Sequence, residues 1–167
     1  RMVRNVVKVY PYARVSAQLL QEYEHDLSAI REGRDQDLYV KLAEAELRAE
    51  FEEELKDLTV SQGRVLIKLV DRETGHTSYE LVKELRGNFQ AFVWQGLARI
   101  FGNNLMDDYD PLGDEAVIES IVQRIERGEL VTAARGARTA KAQARLEKRR
   151  ARLYKKYGLP LPETSMY

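Results

Sequence analysis

Cysteine is absent from the 167 residues, which excludes disulfides and thiolate metal sites and leaves the redox compartment unread. Histidine is almost absent, with only His25 and His76. Neither belongs to an HExxH-type metal motif. A nucleophilic triad needs Ser or Cys beside a base that a third group holds. His25 lies between acidic residues on a helix and reads as solvated. His76 lies in the Thr74–Thr77 turn, where Ser78 or Tyr79 could use it as a base, although a plain loop residue is the simpler reading. No apolar run approaches the roughly 20 residues a membrane helix needs. Four prolines and ten glycines leave room for long helices, and no strand pattern appears beyond a faint alternation from Arg64 to Val70.

What is present is charge. Apolar residues make up 44% and charged residues 32% of the chain, as in a globular protein rich in charged helices. The net charge of zero conceals a division. Residues 1–130 hold 17 Lys/Arg against 25 Asp/Glu, a net of −8, whereas residues 131–157 hold 10 Lys/Arg and the single acid Glu147, a net of +9. Such a split means that the two parts meet each other, or that the basic part meets something anionic.

Helical periodicity runs through most of the chain. Val6, Tyr10, Ala13, Ala17, Leu20, Tyr23, Leu27 and Ile30 predict a helix over 3–30 that Pro11 should kink or start. Residues 35–57 predict a second, with Leu38, Leu42, Ala45, Phe51 and Leu55 on one stripe and an acidic opposite face. Thr59 and Gln62 form a capping box ahead of Val65, Leu66, Leu69 and Val70, with Gly75 as the stop. Thr77 and Glu80 form a second capping box for a short helix to Leu85. Asn88 caps a helix with Phe89, Phe92, Val93, Leu97, Ile100 and Phe101 inward. Asp114 is expected to cap a helix with Ile118, Ile121, Val122 and Ile125 inward, ending at Gly128. A long basic helix is expected over 131–157 with Ala142, Leu146, Leu153 and Tyr157 as its thin apolar stripe. The fold class expected is therefore all-α: one helical bundle of six to seven helices, with a core over 1–130, the basic helix over 131–158 packed on it or extending from it, and a tail over 159–167.

The strings VKVYPY at Val7–Tyr12, SQGRVLIKLVD at Ser61–Asp71, RETGHTSYELVKELR at Arg72–Arg86 and FGNN at Phe101–Asn104 resemble the domain of unknown function numbered 4294, found in Bacteroidota. The resemblance covers about residues 5–125 and leaves the basic helix outside it. It implies export to the periplasm or cell envelope, in keeping with a chain that opens Arg-Met and so reads as trimmed or processed. It brings no catalytic residue, because no activity is established for the family.

Several constellations could carry chemistry. Asp71 and Glu73 flank Arg72, and Glu80 and Glu84 share a helix face. Carboxylates a few ångströms apart can split their pKa values and serve as acid and base. The competing reading pairs them with Arg64, Lys68, Lys83, Arg86 and Arg99, for example Lys68 with Asp71, since buried carboxylates must find partners. Counting from Asp108 puts Asp110, Gly113 and Glu119 at positions 3, 6 and 12 of a calcium loop, but Pro111 and Leu112 break the pattern, and Asp and Gly are also what a turn requires. Trp94 with Gln95, Asn103 and Asn104, near Arg64, Lys68, Arg86 and Arg99, is the candidate polar pocket. Arg138, Lys141, Arg145, Arg149, Arg152 and Lys156 are the candidate partner-binding cations of the basic helix. Docking on an acidic helix such as 35–57 ranks first for them, an anionic lipid or polymer second and nucleic acid last.

The sequence thus supports a non-enzymatic helical interaction module of the cell envelope, with a protein partner or self-association and no cofactor. The alternatives are an acid/base hydrolase using Asp71, Glu73, Glu80 or Glu84, and a module binding nucleic acid or an anionic surface through helix 131–157.

Overall fold

In a computed structural model of the chain, residues 1–75, 108–133 and 140–162 are described, with side chains at 52, 53, 55 and 140–147 left aside. The described residues form helices and connecting turns, with no strand among them. Among the described residues there are five helices: α1 (Met2–Ala29), α2 (Gly33–Lys56), α3 (Val60–Thr74), α4 (Ala116–Glu126) and α5 (Ala140–Tyr157). The count falls short of six or seven, and the helices expected over 77–85 and 88–101 lie outside the described residues.

Two compact units divide the chain. One comprises Arg1–Ala17 and Leu58–Arg135, the other Gln18–Asp57 and Gly136–Tyr167. Each is assembled from two stretches distant in sequence, and α1 supplies its first half to one and its second half to the other.

In the first unit, Val6, Val9, Tyr10 and Ala13 of α1 meet Val65, Leu66 and Leu69 of α3 and Ile118, Ile121 and Val122 of α4. The 3- and 4-residue steps put each set on one stripe of its helix, so three amphipathic helices close a shared core. Helix α3 begins at the expected capping box: the Thr59 hydroxyl accepts from the Gln62 amide at 3.2 Å, and the Gln62 side chain accepts from the Thr59 amide at 3.1 Å. It ends at Gly75, whose φ of +74° is a left-handed conformation that glycine adopts without the Cβ penalty. Pro11 lies inside α1 rather than at its start.

Asp114 is exposed and does not cap α4. Glu115 occupies that position without a side-chain cap bond. The turn is instead held by Asp110, whose Oδ1 accepts from the amides of Leu112 (3.2 Å) and Gly113 (3.0 Å), while its own amide donates to Glu115 Oε2 at 2.8 Å. A Cβ on Gly113 would fall 2.1 Å from Asp110 Oδ2, so the close approach of that carboxylate requires glycine here.

In the second unit, Leu19, Tyr23 and Asp26 of α1 and Ile30 just beyond it are buried with Asp35, Tyr39, Leu42, Glu46, Glu50 and Phe51 of α2 and Arg150, Leu153 and Tyr154 of α5. The inward face of α1 is therefore Leu19 and Asp26 rather than Leu20 and Leu27, which are half-buried. On α2, Ala45 is exposed and Glu46 is fully buried. Both corrections have one cause: the buried stripes here are partly ionic, so a search for apolar residues selects the neighbours of the positions that actually face inward. Helix α5 packs along α2 and is described from Ala140 onward; the basic helix does not begin at 131, since Val131–Ala133 is non-helical, where β-branched Val131 and Thr132 are poor helix formers.

Candidate functional site

Two charge networks, one in each unit, and one cationic helix face are where the described chain concentrates its chemistry. In the first unit the hub is Arg72, in the last turn of α3. Its Nε and Nη2 grip both oxygens of Glu119 on α4, at 2.7 and 3.1 Å, the bidentate geometry in which guanidinium–carboxylate pairs are strongest. Its Nη1 donates to Glu73 at 2.8 Å and Nη2 also reaches Glu126 at 3.1 Å. The Tyr109 hydroxyl donates to Glu119 at 3.0 Å and the Tyr10 hydroxyl to Glu126 at 3.4 Å. Hydrogen bonding from Arg72 holds the Glu119 carboxyl below its ordinary range, and the Glu119 bond in turn raises the guanidinium. Burial, then the hydrogen bond to Glu119, pushes the Tyr109 phenol up. Lys68 pairs with Glu115 at 3.3 Å.

The second unit carries the more deeply buried network. Glu46 (0% exposed) receives Arg150 from α5 and the Tyr23 hydroxyl from α1. One helix turn away, Tyr39 donates to Asp26 (1% exposed) at 2.5 Å, and the rings of Tyr23 and Tyr39 meet edge to face at 6.1 Å. Burial first, then the neighbouring phenol of Tyr154 and the bond to Asp26, drives the Tyr39 phenol far up, so it stays a donor. Burial alone would lower Arg150, but the charge of Glu46, its hydrogen bond and the phenols of Tyr154 and Tyr23 together raise it, and the guanidinium stays protonated. At the end of α5, Lys156 donates to Asp35 at 2.7 Å and Glu32 at 3.2 Å, and Tyr157 donates to Asp35 at 2.5 Å. Those two bonds hold the Asp35 carboxyl below its ordinary range.

The residues singled out from sequence are distributed as follows. Asp71 is buried and Glu73 half-buried beside Arg72; the partner of Lys68 is Glu115, a residue far along the chain, in place of Asp71. Arg64 is exposed. Glu119 is committed to Arg72 and Tyr109, and Asp110 to its own turn; Asp108 is exposed. No group of three or more acids or histidines able to hold a metal is found among the described residues. Arg149 and Arg152 are exposed, whereas Lys156 is engaged with Asp35. His76, Glu80, Glu84, Arg86, Trp94, Gln95, Arg99, Asn103, Asn104 and Arg138 lie outside the described residues, as do the side chains of Lys141 and Arg145. An open groove of about 510 Å³ in the first unit is lined by Met2, Val3, Val117 and Ile121 with Arg1 and Arg124, and by no carboxylate among the described residues.

Sequence reasoning passed over Glu46, Arg150, Asp26, Tyr23 and Tyr39 as a set. A signal was available. The expected stripe on the basic helix steps from Leu146 to Leu153, and Arg150 fills the vacant place in a 4-3-4 rhythm that ends at Tyr157. Glu46 fills the corresponding place after Leu42 on α2. A charged residue at the missing beat of each stripe marks a buried pair.

The sequence model of a family described as a domain of unknown function (DUF4294) matches residues 1–124. The chain belongs to the DUF4294 family. No curated protein and no solved structure matches it. In this DUF4294 protein α5 lies wholly beyond the matched stretch, yet Asp35 and Glu46, inside that stretch, find their partners Lys156, Tyr157 and Arg150 on α5.

Proposed function

We propose that this DUF4294 protein is a non-enzymatic helical interaction module of the bacterial cell envelope. The observation that carries the reading is the commitment of its buried carboxylates. Glu46 is taken by Arg150 and Tyr23, Asp26 by Tyr39, Asp35 by Lys156 and Tyr157, and Glu115 by Lys68 and the Asp110 amide. Glu50 and Asp71 are engaged as well. An acid/base pair needs one carboxyl kept protonated and one free to accept, both facing a cleft that substrate can enter. These carboxylates face cations and phenols inside helix packing, where they fix which helix meets which, and none lines the open groove.

Placement in the envelope follows from the resemblance to exported family members and is part of the proposal. Affinity purification of the native protein from the envelope of its own cells tests both halves. A reproducible envelope protein in the eluate is the expected result; recovery as a lone monomer in the soluble fraction overturns the reading.

A further inference from the structure

The described cations of the basic helix have separate fates. With 3.6 residues per turn each residue advances about 100°, so Arg150, Leu153, Tyr154 and Tyr157 share the side of α5 that is buried or half-buried. Lys148, Arg149, Arg152 and Lys155 fall within an arc of about 120° on the opposite side, and all four are exposed. Arg150, on the buried side, is taken by Glu46, and Lys156, which stands within the same outward arc and is itself exposed, is drawn to Asp35 and Glu32. No ion pair is made by the other four among the described residues. They run from Lys148 to Lys155, about 10 Å along the helix axis at 1.5 Å per residue. Between them the exposed surface of α5 offers only Ala151, with no aromatic ring to stack on a base and no amide to read one. Single-strand binders surround the phosphate backbone with a charged groove and stacking platforms; here the charge stands on a convex strip, which meets a plane of phosphates with all four side chains at once.

We propose that this outward face of α5 docks on an anionic phospholipid surface, with Lys148, Arg149, Arg152 and Lys155 meeting headgroup phosphates while Arg150 and Lys156 hold the helix on its own unit. The contact is peripheral and reversible, since no apolar side chain on this strip enters the hydrocarbon, and its strength comes from charge near the surface. The inference rests on the reading as a binding module and names one partner of that module.

Cosedimentation of the full chain with phosphatidylglycerol/phosphatidylcholine vesicles, against phosphatidylcholine vesicles alone, tests it. Binding to the anionic vesicles only is expected, and it should collapse when salt is raised from about 0.1 M to about 1 M, where the Debye length shrinks from about 10 Å to about 3 Å. Each Lys or Arg near such a surface is worth about fivefold in affinity, so the variant K148Q/R149Q/R152Q/K155Q should lose at least about tenfold while keeping the wild-type circular dichroism spectrum. Equal binding to both vesicle types, or full binding by the quadruple variant, overturns the proposal. Tighter binding of a short DNA duplex through the same four residues also overturns it and assigns the strip to nucleic acid. If vesicle binding fails while an envelope protein still copurifies, the lipid partner falls and the module stands; if vesicle binding holds without any copurifying protein, the reverse is true.

Discussion

Replacing Arg150 with Met should be among the most damaging single changes available in the described chain. Arg150 and Glu46 have side chains 4% and 0% exposed, so the variant leaves a fully buried carboxylate without its cation. Breaking a buried pair from one side typically costs about 3–5 kcal/mol, a large share of the roughly 5–15 kcal/mol that holds a domain folded. Removing both charges is a different matter, because the desolvation of each ion goes with it. The double variant Glu46→Gln/Arg150→Met, in which Gln can still accept from Tyr23, should cost no more than about 2 kcal/mol. Urea unfolding followed by far-ultraviolet circular dichroism measures the cycle, and hydrogen exchange at the amides of α2 and α5 localises the loss to the second unit. The pH dependence supplies a sign. In Arg150→Met the buried Glu46 carboxyl binds a proton more readily folded than unfolded, so stability should recover as pH falls from about 7 to about 5, above the ordinary carboxyl range. A single variant that costs under about 1 kcal/mol, or a double variant as damaging as the sum of the two singles, would refute the reasoning.

Three further outcomes follow from the same geometry. Tyr39→Phe removes the donor to buried Asp26 at 2.5 Å and should cost about 1.5–3 kcal/mol in the same urea assay; a loss under about 0.5 kcal/mol would show that the bond is dispensable. Thr59→Ala removes one half of the capping box of α3 and should cost about 1 kcal/mol, with faster exchange at the amides of Ser61 and Gln62 as the local readout. Acid titration should destabilise the wild type from about pH 4 downward: Asp35 and Glu119 are held more acidic when folded, so the unfolded chain takes up protons first and stability is lost as pH falls toward the folded values. Asp35→Asn should flatten that slope, and an unchanged slope would remove Lys156 and Tyr157 as its cause.

Much of the fold was legible because much of it follows local rules. The capping box at Thr59 and Gln62, the left-handed glycine at 75 and the inward set Ile118, Ile121 and Val122 depend on residues a few positions apart, so the sequence states them directly. Asp114 misled because a good cap residue stood next to a turn that two other carboxylates, Asp110 and Glu115, had already organised. The second unit was harder to read, since its inward stripes contain Asp26, Asp35, Glu46 and Arg150, and a hydropathy pattern scores each of these as solvent-facing.

By itself the amino-acid order determined the helical character of the described chain, its family and the presence of a basic segment beside an acidic remainder. Which acid meets which base was decided by tertiary structure. Glu46 and Arg150 are separated by 104 residues; the place of each in its own stripe hints at burial, but nothing local says that the two meet. A charge enters a protein interior only where a partner of opposite sign arrives with it, and that condition is set by how distant helices pack. The same packing sorts the described cations of α5: Arg150 is buried against Glu46, Lys156 reaches Asp35 and Glu32 from an exposed position, and Lys148, Arg149, Arg152 and Lys155 face solvent.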